Sequence, residues 1–315
     1  MPTWPGCVTI FKVEAPDILN WLRGKSMREI ELRLSDISPD DVYAFSYPHL
    51  PERCAGLQEK FPGLPLLIVD KARRVISGHD YLLLLRQRGE SQFRALQLEL
   101  SAPEALLLNY NILHCLFGLN LYEKLLFIKK ITPWCPWEDI RRRAELNFTL
   151  NDPLRENLDL LLAEPFRFCL AAGRLGLKAA LKLADMPEED RLAMIALLRA
   201  CKFSESQQAQ LIQLLEETAF REKKSWAGIV AASGLAALLQ QEMPQKKIIE
   251  ALQAARYPAY TRMENDWNLW QKKMAPENVA LTHAPLFVKE EIQITLTAKN
   301  RVVAEMLLGK LKKLF

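Results

Sequence analysis

Along residues 30–100 the spacing of apolar positions changes repeatedly, as it does where strands and helices alternate. "IELRL" is a short strand candidate, followed by the polar turn "SDISPDD". "LPERCAGLQEKF" sets Leu50, Cys54 and Leu57 at helical spacing before "PGLP" stops it. "LLIVD" is rich in branched apolar residues and predicts a buried strand, with "RRVISG" as its hairpin partner. Tyr81 to Gln87 predicts a helix closed by Gly89, and "FRALQLEL" alternates again as a strand. After Pro103 and Glu104, which suit a first helical turn, nearly everything to Gln271 has helical period. The end differs once more: "IQITLTA" puts Ile292, Ile294 and Leu296 on one face, and "NRVVAEMLLGKLKKLF" is an amphipathic helix.

The pattern predicts an α+β protein. An extension (1–28) precedes a small mixed α/β domain (29–102). An all-helical domain follows (103–225), then a C-terminal helical region (226–315) ending in a strand-plus-helix element. No internal repeat or low-complexity linker interrupts it.

Composition narrows the classes. With 315 residues, half of them hydrophobic and a quarter charged, the chain reads as an ordinary globular protein. Its N-terminus lacks a basic stretch followed by an apolar one, so no signal peptide is expected. "GIVAASGLAALL" is too short to span a bilayer and predicts a buried helix. Cys7, Cys54, Cys115, Cys135, Cys169 and Cys201 form no CxxC pair, which argues against a zinc ribbon or redox dithiol and suits a cytoplasmic location. His49, His79, His114 and His283 do not recur at metal-ligand spacing, so no metal site is expected from them. The net charge of +4 is concentrated late, with 12 basic against 8 acidic residues in 231–315. A strong nucleic-acid binder usually carries a clearer basic footprint.

One stretch raises a chemical question. "VISGHDYLLLLRQRG" joins a strand to a helix through Gly78, His79 and Asp80. Either this is a turn whose Asp80 caps the helix, or it is an anion or nucleotide site using His79, Asn111 and Arg86 or Arg88. Farther on, "YPAYTRMENDWNLWQKKM" interleaves aromatic and basic residues as nucleic-acid stacking surfaces do. Met263, Trp267 and Trp270 sit at helical spacing there, which favours packing.

The order of these motifs resembles the ParB partition-protein family, whose members join a sulfiredoxin-like α/β domain to a helical domain with a helix-turn-helix. "PLLIVDKARRVISGHDYLLLLRQRG" is similar to the family's Gly-Glu-Arg-Arg-x-Arg-Ala box and its lead-in, with Pro65, Gly78 and Gly89 in corresponding places. "NYNILHCLFGLNLYEKL" resembles the Glu-Asn-x-Gln-Arg box, with Asn111 on the asparagine and Asn120 to Glu123 entering the next helix. "PWEDIRRRAELNFTLNDPLRENLDLLL" is similar to the helix-turn-helix, and "GRLGLKAALKLADMPEED" to the stretch after it. The resemblance covers about Glu29 to Glu222.

What the resemblance implies is a CTP site, with Mg²⁺ held near the second box, and clamping of a dimer around DNA. The candidate nucleotide residues are Gly78, His79, Asp80, Asn111 and His114. The boxes depart from the family where charge is needed: His79, Asp80 and Tyr81 stand for Glu-Arg-Arg, Leu83 for the third arginine, and Tyr110, Leu113 and His114 for the second box's glutamate, glutamine and arginine. Each charge-assisted bond is worth about 1.5–3 kcal/mol, so losing several can erase micromolar binding and, with it, CTP hydrolysis. A sulfiredoxin-like reductase is excluded, because His79 occupies the place of its cysteine.

By the same resemblance the helix-turn-helix occupies 137–162, with helices over Trp137 to Leu146 and Pro153 to Leu162. Asp152 is the expected N-cap, and Leu154, Leu158 and Leu161 form the buried stripe. Arg155 and Asn157 are competent base readers and Arg141, Arg142 and Arg143 phosphate contacts, whereas Glu156 and Asp159 would oppose phosphate.

The leading expectation is a divergent ParB-like factor of chromosome or plasmid partition, with CTP clamping weakened or lost. It would be a cytoplasmic homodimer, nucleoid-associated if DNA-binding, paired with a ParA-type ATPase and not with membrane. The alternatives are a scaffold that kept the fold without DNA or nucleotide, and an enzyme using His79, Asp80 and His114 on another phosphorylated ligand.

Overall fold

The computed structural model describes residues 25–47, 66–144, 146–239, 241–274, 279–284 and 291–311. The expected helix at 50–61, Pro65, His49, Cys7 and Cys54 lie outside the described residues. The chain forms two compact units, Met1–Gln208 and Ala209–Phe315.

In the first unit, β1 (Met27–Arg33), β2 (Leu67–Val69), β3 (Val75–Ser77) and β4 (Gln92–Leu98) form one mixed sheet in the order β1-β4-β2-β3. β1 begins three residues before the expected "IELRL", because its whole length pairs antiparallel with β4, from Met27↔Leu98 to Arg33↔Gln92. β2 runs parallel to β4 and antiparallel to β3, so the expected hairpin is present. Its turn is tied by Asp70, whose Oδ1 accepts from the Arg74 amide at 2.9 Å and whose Oδ2 accepts from Arg74 Nε at 2.7 Å. α1 (His79–Arg88) packs on β2 and closes a core of Leu32, Leu67, Val69, Val75, Leu85, Phe93 and Ala95. Fully burying each large apolar side chain stabilises the fold by about 1.5–3 kcal/mol.

The helical part begins with α2 (Ala102–Phe117) and α3 (Leu121–Ile131). α2 starts in a capping box: Glu104 Oε2 accepts from the Ser101 amide at 2.9 Å. Lys25 donates to Glu104 Oε1 at 2.5 Å and is the main reason that this carboxyl falls from 4.5 to about 2. α4 (Trp137–Ala144), α5 (Asp152–Leu162), α6 (Phe166–Ala171), α7 (Leu177–Ala184) and α8 (Glu188–Ala200) follow. α4 packs on α2, and α5 on α3, α6 and α7.

α9 (Glu205–Glu222) contains the division between the units, while the sequence pattern changes character at 225/226. The second unit continues with α10 (Trp226–Ala232), α11 (Leu235–Leu238), α12 (Pro244–Arg256) and α13 (Pro258–Met274). "GIVAASGLAALL" is therefore two short helices, broken at Gly234, whose φ of +61° favours glycine. Among the described residues no helix is long and apolar enough to cross a membrane.

The C-terminal element is richer than strand plus helix. β5 (Val279–His283), which the polar-flanked "VALTH" conceals, pairs antiparallel with β6 (Ile292–Leu296), and α14 (Arg301–Leu311) follows. Val279, Leu281 and Leu307 form its core, with Trp267, Trp270, Leu296 and Val303 packed against them. Met263 does not join the two tryptophans there and is 46% exposed.

Candidate functional site

The corner at Gly78 is where a phosphate cradle was to be sought. Gly78 has φ +95° and stands as the N-cap of α1, with its carbonyl accepting from the Leu82 amide at 2.9 Å. A Cβ placed there would lie 2.4 Å from the Leu66 carbonyl oxygen and 3.1 Å from Leu67 Cα. Glycine is thus required by the close passage of the strand entering the sheet as well as by the left-handed backbone. The helix starts two residues earlier than expected, at His79. Asp80 lies inside its first turn and the N-cap position is held by Gly78, which corrects the reading of Asp80 as the cap. Both residues are buried, His79 at 9% and Asp80 at 4% exposure.

The nearby cations are placed away from that corner. Arg86 and Arg88 sit exposed in the last turn of α1, two turns from Gly78, where they complement the helix dipole. Gly89 then closes the helix in the left-handed conformation, its amide donating to Arg86 O at 3.2 Å. In the hairpin, Arg74 is held by Asp70, Arg73 lies 3.6 Å from Asp36, and Lys71 pairs with Glu99 at 2.5 Å.

The second box lies on α2, which packs against β3. Asn111 is half-buried and His114 exposed, stacked on Tyr110 with ring centroids 5.9 Å apart. Tyr110 is fully buried against Phe127, 4.3 Å between centroids, and faces Phe45 at 6.3 Å. Where the resembled family carries a glutamate, this chain has built an aromatic core.

Sequence reasoning missed what the flanking polar residues do. Asn109, entirely buried, donates to the Tyr43 carbonyl at 2.9 Å. Asn120 caps α3 in a reciprocal box with Glu123 and donates to Tyr47 O at 2.7 Å, while Glu123 Oε1 accepts from the Tyr47 amide at 2.9 Å. Lys130 donates to Asp41 O and Val42 O at 2.8 and 3.0 Å. Segment 41–47 is thereby strapped to α2 and α3. The one local signal was Asn120 three residues before Glu123, the spacing of a capping box.

The helix pair at 137–162 presents a different surface. Trp137, Ile140 and Ala144 are buried at spacings of three and four, which turns Arg141, Arg142 and Arg143 to solvent. Arg142 pairs with Asp139 at 2.6 Å; among the described residues Arg141 and Arg143 carry no ion pair. A notch of about 500 Å³ between α4 and the connection after it is lined by Trp137, Glu138, Arg141, Arg142, Leu146 and Thr149.

α5 is capped by Asn151, whose Oδ1 accepts from the Leu154 amide at 3.1 Å; Asp152 is already helical, since the asparagine reaches forward to that amide and Pro153 needs no donor in the first turn. Leu154 and Leu161 are fully buried and Leu158 half-buried. Arg155 and Glu156 are exposed. Asn157 is engaged, donating to Pro153 O at 3.1 Å and to Asp185 Oδ1 at 3.3 Å. Asp159 pairs with Lys129 of α3 at 2.6 Å. Among the described residues no three His, Cys, Asp or Glu side chains gather as metal ligands do.

No protein-family model and no curated protein matches the chain. Among solved structures it is similar to one crystal form of a Pnob8-like ParB-N domain, at 16% identity over 60% of this chain and 90% of that one, with a TM-score of 0.32. It is similar also to a pNOB8-like ParB N-domain, at 14% identity over 75% of this chain and 97% of that one, with a TM-score of 0.33.

Proposed function

We propose that this is a ParB-like DNA-associated protein of the chromosome- or plasmid-partition type, in which CTP-dependent clamping is weakened or lost. The observation that carries the DNA reading is the outward row Arg141, Arg142 and Arg143 at the end of α4, with Arg155 exposed on α5. Guanidinium groups in that position pair with backbone phosphates and release condensed counterions. Asn157, engaged by Asp185, does not read bases in this reading, so binding is weakly sequence-selective.

The loss of nucleotide control is supported at Gly78, where strand backbone fills the space beside the glycine and His79 and Asp80 turn inward. A triphosphate needs cations at such a corner, and this one lacks the arginines that the family's box carries. Homodimerisation through the C-terminal ββα element and pairing with a ParA-type ATPase belong to the same proposal. The exposed Ile292 and Ile294 of β6 support the first.

The experiment is a titration of duplex DNA with the full chain between 50 and about 200 mM salt, the range over which phosphate contacts change affinity most. An affinity that falls steeply with salt supports the reading. No binding at the low-salt end overturns it in favour of a scaffold. That second reading has its own observation: Asp152, Glu156 and Asp159 stand on the exposed side of α5 and repel phosphate. Calorimetry with CTP and Mg²⁺ is expected to show no heat. A saturating isotherm would restore the nucleotide site.

A further inference from the structure

Around the short helix α6 lies a constellation that the DNA reading leaves unused. Phe166, Cys169 and Leu170 of that helix are fully buried, yet Phe168 keeps 37% of its surface in solvent. Its ring is flanked by two guanidinium groups, with Arg199 Cζ 5.0 Å and Arg174 Cζ 5.9 Å from the centroid. Arg174 also donates to the Arg199 carbonyl near the end of α8, which holds its guanidinium beside that helix. Glu164 lies among them, 3.0 Å from Arg167 and 3.6 Å from Arg199, and Arg167 sits over the Tyr47 ring at 5.0 Å. Glu164 thus pairs with Arg167 and Arg199, and the exposed phenyl ring is flanked by two guanidinium groups, Arg174 and Arg199, of which only Arg199 has this carboxylate beside it.

Arginines held flat on an aromatic ring lose little freedom when they bind, and their edges offer paired N–H donors that match a carboxylate. An apolar ring ringed by arginine is also the composition of protein–protein anchor points. A DNA backbone would use the cations and leave the phenyl idle. An acidic segment carrying an apolar side chain uses both.

We propose that this patch docks an acidic peptide segment of a partner protein, with an apolar side chain on Phe168 and flanking carboxylates on Arg174 and Arg199. It stands on residues other than those of the DNA reading, so either can fail alone.

The test is fluorescence anisotropy of a labelled peptide of repeated Glu-Phe-Glu, titrated with the full chain. A peptide with lysine in place of glutamate and a labelled single-stranded oligonucleotide run in parallel. The acidic peptide is expected to bind and the lysine peptide not. Phe168→Glu, a change at an exposed site, is expected to weaken the acidic peptide by about tenfold or more, the scale of a truncated anchor. It should leave duplex-DNA affinity and the melting temperature unchanged. Arg199→Gln is expected to weaken the peptide by about fivefold, in line with one lost solvent-exposed charge pair. Absence of peptide binding overturns the proposal, as does a Phe168→Glu variant that binds as the parent does. A variant that loses the oligonucleotide and keeps the peptide overturns it too, in favour of nucleic acid. If Arg199→Gln lowers the melting temperature, Phe168→Glu decides the matter.

Discussion

The Gly78 corner and the end of α4 begin from similar material, a few polar residues beside an apolar run, and end as opposites. At Gly78 the neighbouring backbone leaves no room for a Cβ, and His79 and Asp80 are buried. On α4 the apolar residues alone are drawn in, and three arginines in succession are left outside. A polar cluster is therefore informative about binding only once its face is known. Three adjacent cations on a helix cover too wide an arc for all of them to turn inward, whereas two residues at a strand-to-helix turn can both be buried.

The sharpest way to break this contrast is Gly78→Ala. The added methyl meets the Leu66 carbonyl at 2.4 Å in a backbone of φ +95°, so a destabilisation of about 3 kcal/mol or more is expected from strain and overpacking together. Urea unfolding measures it. A loss below about 1 kcal/mol would mean that the corner opens readily and has room for a ligand after all.

Next in size is the triple variant Arg141→Gln, Arg142→Gln, Arg143→Gln. Its folding should be unchanged, because all three side chains are exposed. Its affinity for duplex DNA near 0.1 M salt should drop about 100-fold, and the salt slope should lessen by about 2 to 3. An unchanged slope would remove α4 from the interface.

Glu104→Gln probes the interior electrostatics of the first region. The carboxyl is held at about 2, below its ordinary 4.5, chiefly by the Lys25 hydrogen bond. Its stabilisation is thus complete above pH 4.5 and is lost as pH falls toward 2. The variant should be less stable by about 1 kcal/mol at pH 7, a figure kept small because both partners are partly exposed. The gap should close in acid. Denaturation curves at pH 7 and pH 3 compare the two, and a gap that does not narrow would place the effect in packing.

The smallest effect is expected of Asp159→Asn, which breaks the exposed Lys129 pair at a cost under about 0.5 kcal/mol. If α5 faces phosphate, the same change should raise DNA affinity a few-fold by removing a like charge. Equal affinity would turn that face of α5 away from DNA.

Much of the fold was legible because local period and punctuation agreed with it. The hairpin 67–77, the helix ended by Gly89 and the strand "FRALQLEL" stand where apolar spacing and glycine put them, and of the two helices that the resemblance placed at 137–162 the first ends two residues early, at Ala144. β5 was not legible, for "VALTH" is short and becomes a strand only through its pairing with β6. The cap of α5 was misassigned by one residue, because Asn151 and Asp152 are both competent and the backbone chose between them.

The candidate site was less legible than the fold. Gly78 was singled out correctly as special, yet the reason lies in Leu66, twelve residues away in sequence and adjacent in space. Asn109 and Lys130 carried no legible purpose, and Asn120 and Glu123 only that of a capping box, until the strap at 41–47 was seen to supply their other partners. The amino-acid sequence by itself determined the helices, the hairpin and the row of cations on α4, since those follow from interactions within a few residues. Which polar groups are buried, and that Phe168 meets Arg174 and Arg199, was decided by tertiary structure alone, because burial and cation–aromatic contact depend on distances between segments that period and composition do not encode.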